Sequence, residues 1–376
     1  MKHISSNVTR ISTRINSLSI KKLSPVALAL VFSVHVHAGS ELSIPSSDIK
    51  TARLVESIVN ATPIERKGPI YPSSAAKSGK EGWVQMSFII DTDGSVLEPT
   101  VIDSAGDVAF ERAALRAIRK WKYTPAEKDG EAIQQCDTKL QFDFSINNNG
   151  VSRKFSTFYN SAVKLLENKE ADKLGLELAN AEWAGESNLT EITWFHYLQS
   201  EYYFLIGDKK NELKHLYKAT HKPKHDKYNS RLPEATTIRN LHRMFIIEAD
   251  EQRFNDALYT FNSLKHFKSE QAIKTKEALA PFAEKIEQHI ASDNLIIRDA
   301  NLTKAGTWSH RLSRNSFVIQ DINGDLDKLD VRCDNKRNVF TIEENNQWLI
   351  PKSWGKCQVL IDGNKGASFK LVELNS

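Results

Sequence analysis

The residue types that could do chemistry in this 376-residue chain are few and poorly grouped. His221 and His225, in the stretch HKPKHDK, stand four apart as two metal ligands can, but no carboxylate or cysteine joins them in register. A solvated basic loop explains them as well. Asp321, Asn323, Asp325 and Asp327 alternate like the start of a calcium loop. No glycine follows Asp325 and no glutamate closes the loop, so a hairpin turn at Asn323-Gly324 is the expected reading and no metal site is assigned. HExxH, GxSxG, P-loop, GxGxxG and CxxC patterns are all missing, and no enzyme activity and no cofactor is assigned.

There are three cysteines. Cys333 and Cys357 share one C-terminal segment, where an exported protein would pair them as a disulfide. Cys136 alternates with Thr138, Leu140, Phe142 and Phe144 and reads as a small buried hydrophobe. Trp308, Trp348 and Trp354 could line a glycan platform, with core packing as the commoner role.

Charge narrows the partners. Five of the 51 basic residues and none of the 47 acids fall in residues 1–38, so 46 bases face 47 acids in the remainder. No global nucleic-acid footprint exists. Residues 1–38 read as a secretory signal peptide: a basic stretch ending at Lys22, the apolar run LSPVALALVFSV, and Val36-His37-Ala38 as a cleavage site. As a helix, residues 23–38 would span about 24 Å, short of the ~30 Å hydrocarbon core. The expectation is a periplasmic protein with a cleaved signal; the alternative is an inner-membrane anchor facing the periplasm.

Beyond the signal, residues 39–54 read as a linker, and 55–147 mix strand and helix signals. NNNG at 147–150 is a boundary, 151–291 are helical, and 295–376 form short alternating runs that read as a small β domain. In the first of these domains, Val84, Met86, Phe88 and Ile90 alternate with Gln85, Ser87 and Ile89, predicting a strand with one buried face. Asp93-Gly94 predicts a hairpin, and Pro99 demotes the return strand to an edge or bulge. Phe110, Ala113, Ala114, Ala117, Ile118 and Trp121 make one apolar helical stripe, stopped by Pro125, and Asp129-Gly130 turns the chain into a last alternating strand, 135–146.

The order Tyr71-Pro72, Gly82, Asp93-Gly94, FERAALRAIRKW, Tyr123-x-Pro125 and LQFDFSI resembles the C-terminal domain of the TonB family over about residues 60–147. The resemblance implies an α+β fold, an antiparallel sheet with packed helices, that binds an outer-membrane receptor segment by strand addition. Carried across, the partner-binding residues are Lys67, Gly68, Pro69, Ile70 and Tyr71, with Asp137, Thr138, Lys139, Leu140, Gln141, Phe142, Asp143 and Phe144. The implied partners are an outer-membrane TonB-dependent receptor and an inner-membrane ExbB/ExbD-type motor. A homodimer through the same edge is open. The family's Ser-x-x-x-His signature is matched by Ser33 and His37, but polar sequence follows at once and the Pro-rich spacer is missing. A soluble periplasmic scaffold without energy transduction is therefore the alternative function.

The helical middle is similar to degenerate tetratricopeptide repeats. Tyr203, Gly207, Leu216 and Ala219 form one unit, and Leu241, Phe254, Ala257 and Phe261 another. Such hairpins imply a surface for other periplasmic proteins.

Overall fold

The computed structural model describes residues 58–146, 150–220, 231–303 and 306–375. The signal, Ser33, His37, the linker and the HKPKHDK loop lie outside these residues.

The first unit opens with β1 (Ile58–Val59), β2 (Thr62–Glu65) and the short helix α1 (Ser73–Lys77). β3 (Gly82–Ile90) and β4 (Val96–Ala105) follow, then α2 (Val108–Ile118), β5 (Lys122–Thr124), β6 (Ala126–Lys128), β7 (Glu131–Ile133) and β8 (Gln135–Phe144). The main sheet has the order β4-β3-β8, all antiparallel. Two small sheets, β2-β5 and β1-β6-β7, flank it.

Local chemistry dictates these elements. Gly94 has φ +78°, and a Cβ there would sit 1.8 Å from the carbonyl oxygen of Tyr123, so only glycine closes the β3–β4 turn. Gly82 is required for closeness instead: a Cβ would meet the Ala105 carbonyl oxygen at 2.4 Å and the Phe110 ring at 2.8 Å. Asp107 caps α2 by accepting from the Ala109 N–H. Phe110, Ala113, Ala114 and Ile118 of α2 pack with Val84, Met86, Phe88 and Ile90 of β3 in one core cluster. β4 is an edge strand, and its register slips across Glu98 and Pro99, as the proline predicts.

Two expectations are corrected. The helix ends at Ile118, before Pro125, because Lys122–Thr124 leave it to pair with β2. And β3 is buried on both faces: Trp83 packs with Ala105, Leu189 and Ile192, and Ile89 is fully buried. At Trp83 part of that second cover, Leu189 and Ile192, comes from the helical segment that follows.

The helices α3 (Arg153–Glu167), α4 (Ala171–Asn180), α5 (Leu189–Ile206), α6 (Lys209–Ala219), α7 (Glu234–Asp250), α8 (Phe254–Ser263) and α9 (Glu270–Ala291) come next. They pack as neighbours, α3 on α4, α5 on α6 and α7 on α8, with α9 against α7 and α8. Gly207, at φ +77°, ends α5 in the left-handed conformation.

The last segment carries β9 (Ile296–Asn301), β10 (Thr307–Arg311), β11 (Ser316–Asn323), β12 (Leu326–Cys333), β13 (Arg337–Phe340), β14 (Gln347–Leu349), β15 (Cys357–Gly363) and β16 (Ser368–Leu374), with one turn of 3₁₀ helix at Lys352–Trp354. Two four-stranded sheets, β10-β15-β12-β13 and β14-β11-β16-β9, share a core of Phe317, Leu329, Val331, Val359, Ile361 and Leu371. Trp348 stacks on Phe317 and Trp308 meets Phe369 edge-on, so both rings serve packing. At the β11–β12 hairpin Asp321 pairs with Lys370 and Asp325 accepts from Asn364, contacts that belong to the turn. The Sγ atoms of Cys333 and Cys357 lie 2.05 Å apart, across directly opposed positions of β12 and β15.

Polar contacts, some of them buried, join the three parts. The Glu81 carboxylate, 1% exposed, accepts from the backbone N–H groups of Ile146 and Leu189, tying the end of β8 to the start of α5. Lys80 bridges Asp107 at the α2 cap and Glu186 before α5. Arg332 and Arg337 both reach Glu98 on the β4 bulge while sharing Asp330 between them. Arg314 donates to the carbonyls of His289, Ile290 and Ser292 at the end of α9.

Candidate partner-binding edge

β8 is the strand on which the sequence reading rests. It pairs with β3 on one side, and among the described residues no strand pairs with its other side. A strand with one flank unpaired presents a row of backbone donors and acceptors to an added chain.

Its side chains divide by parity. Leu140, Phe142 and Phe144 face the helix. Phe142 meets Trp121 edge-on at 5.4 Å, and Phe144 stacks on Phe110 at 4.5 Å. The reverse face carries Lys139, Gln141 and Asp143. Gln141 accepts from Gln85 of β3 and donates to Asp143. Lys139 donates to Gln358 of β15 at 2.9 Å. Thr138 accepts from Gln135, and the backbone of Asp137 belongs to the strand. Cys136 is fully buried, as its place in the alternation predicts, and its N–H donates to the carbonyl of Asp334 at 3.4 Å. The first turn of β8 is thus backed by the C-terminal segment, while Leu140, Gln141, Phe142 and Asp143 keep partial or full exposure.

The strap at residues 67–71 is brought to the same place. The carbonyl of Lys67 accepts from Trp121 Nε1 at 2.8 Å. Tyr71 lies edge-on to both Phe110 (5.5 Å) and Phe144 (5.8 Å), and its hydroxyl donates to the carbonyl of Lys80. Burial, followed by the nearby Glu81 carboxylate, pushes that hydroxyl's pKa up to about 12. Pro69 is partly covered, nothing lies near the Cβ position of Gly68, and Ile70 is 87% exposed. Lys67 pairs with Glu65 in the open. The two stretches therefore meet through Trp121 and the Phe110–Phe144 stack, with Ile70 at the outer margin.

Sequence reasoning missed Arg66, whose guanidinium lies 4.6 Å from the Trp121 ring centroid. It also missed Glu81, Asp334 and Gln358, which hold or back β8 from outside its own unit. The adjacency of Arg66 to Lys67 was an available signal for the first. The others lie 65, 198 and 219 positions from their partners, out of reach of any local pattern.

Neither His221 nor His225 is described, and among the described residues no group of three His, Cys, Asp or Glu side chains could hold a metal. Among those residues, too, no helix is long and apolar enough to cross a membrane.

Residues 67–146 match the family described as Gram-negative bacterial TonB protein C-terminal. Over 80 residues the chain is 31% identical to Protein TonB of Pseudomonas aeruginosa, covering 21% of this chain and 23% of that protein. Over 65 residues it is 37% identical to Protein TonB of Vibrio cholerae, covering 17% and 27%. The solution structure of the Pseudomonas aeruginosa TonB C-terminal domain shares 28% identity, covers 24% of this chain and 89% of that one, and superposes with a TM-score of 0.21. The chain spans about a quarter of the length of these curated relatives.

Proposed function

We propose, from the premise that residues 67–146 are a TonB-family C-terminal domain, that this chain binds an extended segment of an outer-membrane receptor along β8 and so supports energised transport across the outer membrane. The observation that carries this reading is the one-sided pairing of β8. Two ring contacts, Phe142 on Trp121 and Phe144 on Phe110, fix one face of the strand on the core. An incoming strand would take its affinity from main-chain hydrogen bonds and its selectivity from side-chain contacts with the partly exposed Leu140 and Phe142 and the exposed Ile70. Contact with a motor of the ExbB/ExbD type falls to residues 1–57, outside the described part. The paired helices α5 to α8 are a second surface for periplasmic proteins in this reading.

The test compares two substitutions at one position, using the full chain and a short extended receptor peptide. Phe142→Ala removes the ring but keeps the backbone donor. Phe142→Pro removes both. Strand addition requires a much weaker complex for the proline variant than for the alanine variant, with circular dichroism showing both folded. Equal affinities for the two would place the contact elsewhere.

A further inference from the structure

The three parts of the chain enclose a cleft of about 960 Å³, at the upper end of the volumes that hold small molecules. Ile102 and Asp103 of β4 line one side. α6, the turn between α7 and α8, and strands β9 and β10 line the rest. The cleft lies away from the described contacts of β8 with the strap, and strand addition along β8 does not use it, although Gln358, which backs Lys139, is among its lining residues.

Five acids and five lysines or arginines line it, but two of the acids are paired with cations from outside the lining. Of its acids, Asp103 is neutralised by Lys218 at 2.9 Å, Asp250 by Lys209 at 2.6 Å and Asp256 by Arg253 at 2.7 Å. Glu251 and Asp299 remain. Against them stand Arg298, Lys210 and Lys214, for which no ion pair exists among the described residues. Arg298 is the telling group. Its Nη1 donates to the carbonyl of Glu251 at 3.0 Å, and its Nε is buried with no hydrogen-bond partner among the described residues. Burial first, and then the positive charge of Arg253, pull its pKa below the ordinary arginine value. A guanidinium drawn out of water is normally matched by an anion. Here Glu251, Asp256 and Glu373 act on it only through space and offset part of that cost, no carboxylate is ion-paired with it among the described residues, and it faces a cleft. Trp308 lines the same cleft, half-buried, with Phe369 set against its ring edge-on.

We propose that this cleft binds a small organic oxyanion, a carboxylate or a phosphate ester, seated on Arg298 and Lys214 with its carbon frame against Trp308. The shared chemistry is a negatively charged oxygen group on a compact polar skeleton.

Isothermal titration of the full chain with glucuronate, glycerol phosphate and inorganic phosphate tests this. Saturable binding of either organic probe is expected, weakened about tenfold or more in Lys214→Gln and in Arg298→Gln. Trp308→Leu should weaken the organic probes and leave inorganic phosphate unchanged. Lys214 is exposed on α6, so its variant keeps the test valid even where Arg298→Gln lowers stability. No saturable binding of any probe up to ~5 mM, or binding indifferent to both charge variants, would overturn the proposal.

Discussion

Trp121 and Lys67 are joined by one hydrogen bond, indole Nε1 to backbone carbonyl at 2.8 Å, and through it the turn that follows α2 holds the strap against the sheet. The same ring touches Phe142 of β8 and lies beneath the guanidinium of Arg66. One side chain thus positions both halves of the candidate binding edge.

Trp121→Phe keeps much of the apolar contact and deletes the hydrogen bond. A loss of about 1 kcal/mol in urea unfolding is expected. Trp121→Ala should cost ~3–5 kcal/mol, since the indole is buried among Phe88, Tyr123 and Phe142. Receptor-peptide affinity should fall in both, because the strap loses its anchor. A peptide affinity unchanged by Trp121→Phe would show that the strap does not shape the edge.

These contacts also mark what could be read in advance. The parity of Phe142 and Phe144, the helical spacing of Phe110 to Trp121 and the glycine at position 94 are local patterns, and each follows from the two-residue or 3.6-residue period or from φ. The family resemblance rested on that same local order. The reverse face of β3 was not legible in this way. Trp83 and Ile89 alternate with the core residues like solvent-facing positions, and the cover of Trp83 at Leu189 and Ile192 comes from a helix about a hundred positions later. The pairing of Glu98 with Arg332 and Arg337, 234 and 239 positions away, is likewise invisible to periodicity.

His196 and His215 make stability depend on pH. Their Nδ1 atoms lie 3.2 Å apart between α5 and α6, both rings nearly out of solvent. Burial, then Lys214 and Lys218, pull the His215 pKa down to about 4. Burial, then His215, pulls His196 well below its usual value. A folded pKa below the unfolded value of ~6.5 means that the unfolded chain takes up protons first as pH falls. The stabilisation is complete above that value and drains away toward pH 4, with His215 alone accounting for about 2 kcal/mol by pH 5. Thermal unfolding at stepped pH should show this decline, and His215→Gln should flatten it. An equally steep decline in the variant would point to other groups.

Asp330 acts at a lower pH. Burial opposes its ionisation, but hydrogen bonds from Arg337 and Arg332 outweigh that and hold its pKa below the ordinary aspartate value. The stability it contributes is present above the usual carboxylate range and is lost as pH falls through the depressed value. Asp330→Asn should leave the buried Arg332 without its main counter-charge and cost about 3–5 kcal/mol. Glu98→Gln removes a half-exposed partner of the same arginines and should cost ~1 kcal/mol or less. Chemical denaturation of the two variants side by side measures the difference; similar losses would mean that the contact between the first unit and the C-terminal segment, rather than Asp330, carries the energy.

Cys333 and Cys357 close a 24-residue separation, and if bonded they should stabilise the C-terminal segment by about 3 kcal/mol through the unfolded chain. Intact mass before and after thiol alkylation counts the free thiols. With the bond in place one cysteine, Cys136, reacts, and only after unfolding, because it is fully buried. Three alkylated thiols in the unreduced, unfolded protein would exclude the bond.

Glu81 gives the sharpest test of whether the parts act as one body. Its carboxylate accepts from the amides of Ile146 and Leu189, and its own N–H donates to the carbonyl of Ser187. Gln at this position keeps the shape but turns one acceptor into a donor facing an amide N–H. Glu81→Gln should therefore cost about 1–3 kcal/mol, and the loss should concentrate at the junction. Hydrogen exchange is the measurement: the Leu189 and Ile146 amides should lose protection together, while the buried amides of β3 keep theirs. If the first unit and the helices are held mainly by Trp83 on Leu189 and Ile192, those two amides stay protected in the variant, and the apolar contact, not the carboxylate, couples β8 to the helical part.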